Sequence, residues 1–76
     1  MLNRLKYERL RRGLSQETLG IAARVDQSTI AQMELGRYFP TAIVLDRLAR
    51  VLDVPGDQLL KPVEIIKPEL QTEAAR

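Results

Sequence analysis

Between residues 15 and 35 two short amphipathic segments are joined by Arg24-Val25 alone, and this minimal connection constrains the fold more than any other feature. Ser15 is a good N-cap for the first segment, Glu17 places an anion in its first turn where the helix dipole favours one, and Leu19 with Ala22 or Ala23 supplies an apolar side. Asp26 is positioned to cap the second segment, whose Ile30 and Met33 point inward at i, i+3. Two helices of about two turns, joined this tightly, must cross steeply. Neither buries its apolar side without the rest of the chain.

The flanking sequence supplies that cover in further helical segments. One runs from about Asn3 to Arg12, with Leu2, Leu5 and Leu10 available for its inner side and Gly13 as a left-handed stop. Gly36 ends the segment that holds Ile30, Arg37-Tyr38-Phe39-Pro40 makes a loop, and Thr41 caps the next helix. From Ala42 to Leu52 the residues Ile43, Val44, Leu45, Leu48, Val51 and Leu52 form the cleanest amphipathic stretch. Pro55-Gly56 breaks it, and Asp57 to Leu60 adds a last turn that brings Leu59 and Leu60 to the bundle. Residues 1–60 therefore read as one all-α, five-helix domain, and residues 61–76 as a C-terminal arm. Within the arm Val63 to Lys67 is β-branched and fenced by Pro62 and Pro68. A lone strand does not stand by itself, so it pairs with its counterpart in a second subunit, lies over apolar surface, or is partly disordered.

Composition excludes more than it assigns. With neither cysteine nor histidine, the chain lacks disulfide staples, the usual zinc ligand sets, thiol nucleophiles and the commonest neutral-pH base. No catalytic residue, metal, cofactor or small-molecule ligand is expected. No run is long and apolar enough for a bilayer, and no leader pattern opens the chain, so the expected setting is cytoplasmic. At 76 residues a single core is close to the lower limit, which makes oligomerisation a prior from size alone. Net charge is +2, with seven basic against four acidic residues through Arg37 and five against six beyond it. The excess suits a surface that faces phosphate.

With Ile30 and Met33 turned inward, Gln27, Ser28, Ala31 and Gln32 occupy the outward stripe of their helix and Thr29 its edge. This stripe is short, polar and uncharged. Amides both donate and accept, so Gln27 or Gln32 matches an adenine edge, Ser28 and Thr29 suit several bases, and Ala31 suits a thymine methyl. An ordinary solvated helix face is richer in Lys and Glu.

The compound pattern Gly13-Leu14-Ser15-Gln16-Glu17-Thr18-Leu19, Val25-Asp26-Gln27-Ser28-Thr29-Ile30, Met33-Glu34-Leu35-Gly36-Arg37, Pro40-Thr41 and Leu48-Ala49-Arg50-Val51-Leu52-Asp53-Val54 resembles the Xre family. This is the lambdoid phage repressor and Cro type of helix-turn-helix regulator, and the resemblance runs from about Leu5 to Leu60. It implies a lambda-repressor-like domain that lays the helix after Asp26 in the major groove of double-stranded DNA. It further implies phosphate contacts from Gln16, Arg37, Tyr38 and Thr41, with Arg12, Asn3 and Arg4 as helpers, and an Arg9–Glu34 ion pair between helices one and three. Two positions depart from the family pattern. Arg24 stands where relatives have a turn glycine, so the turn is expected to rearrange slightly, and Gly20 stands where they favour alanine.

Together these features predict a transcriptional regulator, more specifically a homodimeric repressor of a near-palindromic operator. Leu59, Leu60, Val63, Ile65 and Ile66 are its candidate dimer contacts, because they exceed what so small a core buries. The rival expectation is a helix-turn-helix scaffold that acts through a protein partner, as an antitoxin or regulator subunit does. Steep salt dependence separates phosphate contacts from a largely apolar protein contact.

Overall fold

The computed structural model describes residues 3–63. Four α-helices follow one another, α1 Arg4–Arg11, α2 Gln16–Ala23, α3 Gln27–Glu34 and α4 Ala42–Leu52, before a 3₁₀ turn at Gly56–Gln58. The fold is all-helical, but the expected fifth helix is only this 3₁₀ turn. α4 already ends at the left-handed Asp53, Pro55 has no N–H to donate, and the three residues that follow close i→i+3 bonds. Among the described residues the sole bridge pairing joins Asn3 to Pro62. The N–H groups of Arg4 and Leu5 donate to the carbonyls of Lys61 and Leu59 at 2.9 and 2.8 Å, so the chain after the 3₁₀ turn is fastened to the start of α1. No helix among the described residues is long and apolar enough to cross a membrane.

Side-chain caps start three of the helices. Asn3, Ser15 and Thr41 accept from the backbone N–H groups of Lys6, Thr18 and Val44. Asp26 stands at the N-cap of α3 without a side-chain capping bond. All four α-helices end on one device: a left-handed residue followed by a residue whose N–H reaches back five positions. The left-handed residues are Gly13, Arg24, Gly36 and Asp53. The returning bonds run from Leu14 to Arg9, Val25 to Gly20, Arg37 to Gln32 and Val54 to Ala49, at 2.9 to 3.1 Å. The tight turn is therefore not rearranged around Arg24, which adopts φ 58° and ψ 47° as a glycine would.

Gly20 makes this turn possible from the other side. A Cβ there would stand 2.5 Å from the Val25 carbonyl oxygen and 3.5 Å from the Gln27 nitrogen. The close approach of α2 to the turn before α3 thus depends on a residue with no side chain. Leu5, Leu19, Ile30, Met33, Leu48, Leu52 and Leu59 are fully buried, and Ala23, Val25 and Val54 complete the core. Two expected core residues are not in it: Leu10 is 53% exposed and Ile43 65%. In so short a helix as α1, Leu5, Glu8 and Arg9 take the inner side and rotate Leu10 outward, while α4 buries Leu48 and Leu52 and turns its first-turn Ile43 to solvent. Ala23, not Ala22, is the inward alanine of α2. Leu2 lies outside the described residues.

Candidate nucleic-acid interface

The outer side of α3 is polar because its inner side is spent on the core. Ile30 and Met33 are fully buried, whereas Gln27, Ser28 and Gln32 are exposed and Thr29 and Ala31 half-buried. A hollow of about 240 Å³ between α3 and the following loop is lined by Ser28, Thr29, Gln32, Arg37 and Tyr38. Residues selected for base edges and residues selected for phosphate therefore share one surface. Arg37 is exposed and makes no ion pair with the described residues. The Thr41 hydroxyl caps α4 by accepting from Val44 at 3.3 Å, which leaves its own proton free to donate.

The Arg9 guanidinium grips Glu34 through two bonds, Nε to Oε2 at 2.7 Å and Nη2 to Oε1 at 3.0 Å, and donates a third to the Leu14 carbonyl at 2.8 Å. Both side chains are buried. Gln16 Nε2 also donates to Glu34 Oε1 at 3.0 Å, so a candidate phosphate contact on α2 is held by the carboxylate that locks α3 to α1. The geometry orients the Gln16 amide and leaves its second N–H available.

Arg12 is not placed for phosphate. Its guanidinium is committed to the Glu8 carboxylate and to the Leu52 carbonyl at the end of α4. Glu8 is buried and also binds Arg4 at 2.9 Å and Arg11 at 3.0 Å. Burial pushes the Glu8 carboxyl up, but hydrogen bonds from Arg12 and Arg11 and their charges outweigh it and hold the group below its ordinary 4.5. Arg4 is thereby also engaged, and Asn3 spends its amide on capping α1 and on donating to the Met33 carbonyl at 2.9 Å. The basic excess of the first half is in part internal, since Arg4, Arg9, Arg11 and Arg12 all bind buried carboxylates. Sequence reasoning missed the Glu8 cluster, although arginines at i−4, i+3 and i+4 signalled it.

The candidate dimer contacts divide. Leu59 is fully buried in its own chain and has no surface to offer a second copy. It sits beneath the N-terminus of α1, where its carbonyl accepts from Leu5. Leu60 and Val63 are half-buried. Ile65 and Ile66 lie outside the described residues.

Four short helices with a tight connection between α2 and α3 and an open polar face on α3 define a helix-turn-helix DNA-binding protein. The helix-turn-helix domain family matches residues 2–61, and the chain belongs to it, as an Xre-type transcription regulator. The restriction-modification controller protein C.AhdI from Aeromonas hydrophila is similar at 34% identity, with 74% of this chain and 85% of that chain covered and a TM-score of 0.68. A hypothetical transcription factor, NHTF from Neisseria, shares the fold at 24% identity, 93% of this chain, 74% of that chain and a TM-score of 0.68. No curated protein matches the chain significantly in sequence.

Proposed function

We propose that this regulator is a cytoplasmic, homodimeric repressor that reads a near-palindromic operator through α3, with residues 1–60 as the DNA-binding unit and residues 61–76 as an arm. Gln27 and Gln32 read base edges in the major groove, assisted by Ser28, Thr29 and Ala31, while Gln16, Arg37, Tyr38 and Thr41 hold the backbone. One copy touches too few base pairs to be selective, and a twofold pair with half-sites about 34 Å apart multiplies the discrimination. The observation that carries this reading is the division of α3: Ile30 and Met33 fully buried, Gln27, Ser28 and Gln32 open, and Arg37 and Tyr38 on the same hollow. The relative named as a restriction-modification controller supports control of such genes as the biological setting.

Selection of bound duplexes from a random pool tests the reading. The expected product is a pair of related half-sites. Gln27→Ala or Gln32→Ala relaxes preference at one position per half-site by about 1–3 kcal/mol. Arg37→Ala weakens all sequences alike and lowers the salt slope by about 1. Enrichment of no sequence, or equal loss on cognate and random DNA for the glutamine variants, rejects the assignment.

A further inference from the structure

We infer that the exposed side chains of Leu35, Phe39 and Ile43 form the surface on which a second copy of this chain docks, an inference that rests on the two-copy reading above and gives it a location. Among the described residues six large apolar or aromatic side chains are substantially exposed, and four of them, Leu35, Tyr38, Phe39 and Ile43, fall within nine consecutive residues. Tyr38 belongs to the hollow beside α3, which leaves Leu35 at 61%, Phe39 at 84% and Ile43 at 65% exposed. Phe39 stands between the left-handed stop at Gly36 and the capped start of α4 at Thr41, and Pro40 follows it. The backbone that presents the ring is thus set in advance, which lowers the ordering cost of an interface.

Area, charge and position favour a second copy over another partner. An exposed phenylalanine buries about 150 Å² or more, and the three side chains together offer roughly 400 Å², about half of the ~800 Å² that each partner contributes to a stable interface. An apolar patch of several hundred Å² is often a functional surface. A twofold contact sets a patch against itself, and an apolar patch is its own complement whereas a charged one repels its copy. Arg37 is the single charged residue from Leu35 to Ile43, and it lines the hollow beside α3. The contact therefore rests on apolar side chains. It starts where α3 ends, so Gln27, at the opposite end of that helix, stays open in both copies. Leu59, by contrast, has no free surface.

Sedimentation equilibrium of the full chain, with and without the selected duplex, tests the inference. The wild type is expected to be a dimer in the micromolar range, and Phe39→Asp and Ile43→Asp each to weaken association roughly tenfold or more. Ile21→Asp, an equal change at a residue 75% exposed on α2, is expected to leave association unchanged. All three side chains are on the surface, so circular dichroism should show native helix content throughout. A monomeric wild type overturns the inference, as does a dimer that survives both substitutions. Band shifts on the selected duplex keep the two readings apart: selective DNA binding by a protein whose variants remain dimeric rejects the interface alone. Dimers broken by these substitutions in a protein that selects no sequence support the interface and reject the reading of α3.

Discussion

Replacing Arg9 with methionine removes a guanidinium that makes three hydrogen bonds at 2.7 to 3.0 Å, two of them to Glu34. Glu34 then remains buried as a carboxylate with Gln16 as its remaining donor. Leaving one partner of a buried pair uncompensated costs about 3–5 kcal/mol. A domain of this size holds on the order of 5 kcal/mol or somewhat more, and each 1 kcal/mol moves Tm by roughly 4–8 °C. Arg9→Met is therefore expected to lower Tm by at least about 12 °C and to sit close to global unfolding at 37 °C. Arg9→Met combined with Glu34→Met removes both charges and lets two flexible apolar chains fill the space, so the pair should recover most of the loss. About 1 kcal/mol stays lost, because the Leu14 carbonyl has no donor in either variant. Thermal and urea melts followed by circular dichroism give the three stabilities and the coupling energy. The reasoning fails if Arg9→Met costs less than about 1 kcal/mol, or if the double variant is no more stable than the single one.

The tight turn and the Glu8 cluster give three further expectations. Arg24→Gly should raise stability by about 0.5–1 kcal/mol in urea melts, since the left-handed conformation costs an L-residue about 1–2 kcal/mol and the entropy of glycine offsets part of that gain; a loss would show that the Arg24 side chain does more than occupy the turn. Gly20→Ala should lower the urea midpoint even though alanine is favoured in a helix by about 1 kcal/mol, because its Cβ meets the Val25 carbonyl oxygen at 2.5 Å and overpacking costs about 1–3 kcal/mol; a stabilised variant refutes the close approach. Glu8 is held below its ordinary 4.5 when folded, so its contribution is fully present above pH 4.5 and fades as pH falls through the lower folded value. Glu8→Gln should thus be less stable than wild type at pH 7, with the gap narrowing below pH 4.5; a gap independent of pH shows that the carboxylate charge is not what matters.

Features that depend on local chemistry were legible in the sequence, and those that depend on the phase of a short helix were not. Ser15 and Thr41 cap because their hydroxyls accept from the third residue on, and Gly13 and Gly36 stop helices because glycine tolerates positive φ. Ile30 and Met33 face the core because two apolar positions at i, i+3 choose the inward side of α3. In α1 the same reasoning misplaced Leu10, since Leu5, Leu10, Glu8 and Arg9 cannot all face inward in eight residues and the buried arginine-carboxylate bonds decided the matter. The i, i+4 spacing already pairs Arg12 with Glu8, but nothing in its neighbourhood reveals Leu52, forty residues away, as a second acceptor. Arg24 was expected to distort the turn, yet the backbone keeps the geometry and accepts the strain. One left-handed residue costs less than moving α3 off Ile30 and Met33.

Buried polar bonds sit where direction matters more than area. Apolar contacts through Ile30 and Met33 choose the inward side of α3 but set its rotation only coarsely, because dispersion and hydrophobic burial are not directional. The C-terminal turn of α3 is held differently. Arg9 and Gln16 converge on Glu34, and the Asn3 amide donates to the Met33 carbonyl. These bonds weaken steeply when misaligned, so they fix the azimuth of α3 relative to α1 and α2. That azimuth decides which side chains lie on the open face, and a rotation of one residue position, about 100°, would exchange Gln27 and Gln32 for their neighbours. The bonds reach α3 from the core side, leaving Gln27, Ser28 and Gln32 unspent on its outer face. Stability alone does not require a buried charge pair at this site; a helix read through one stripe of side chains, as proposed above for α3, gains from it.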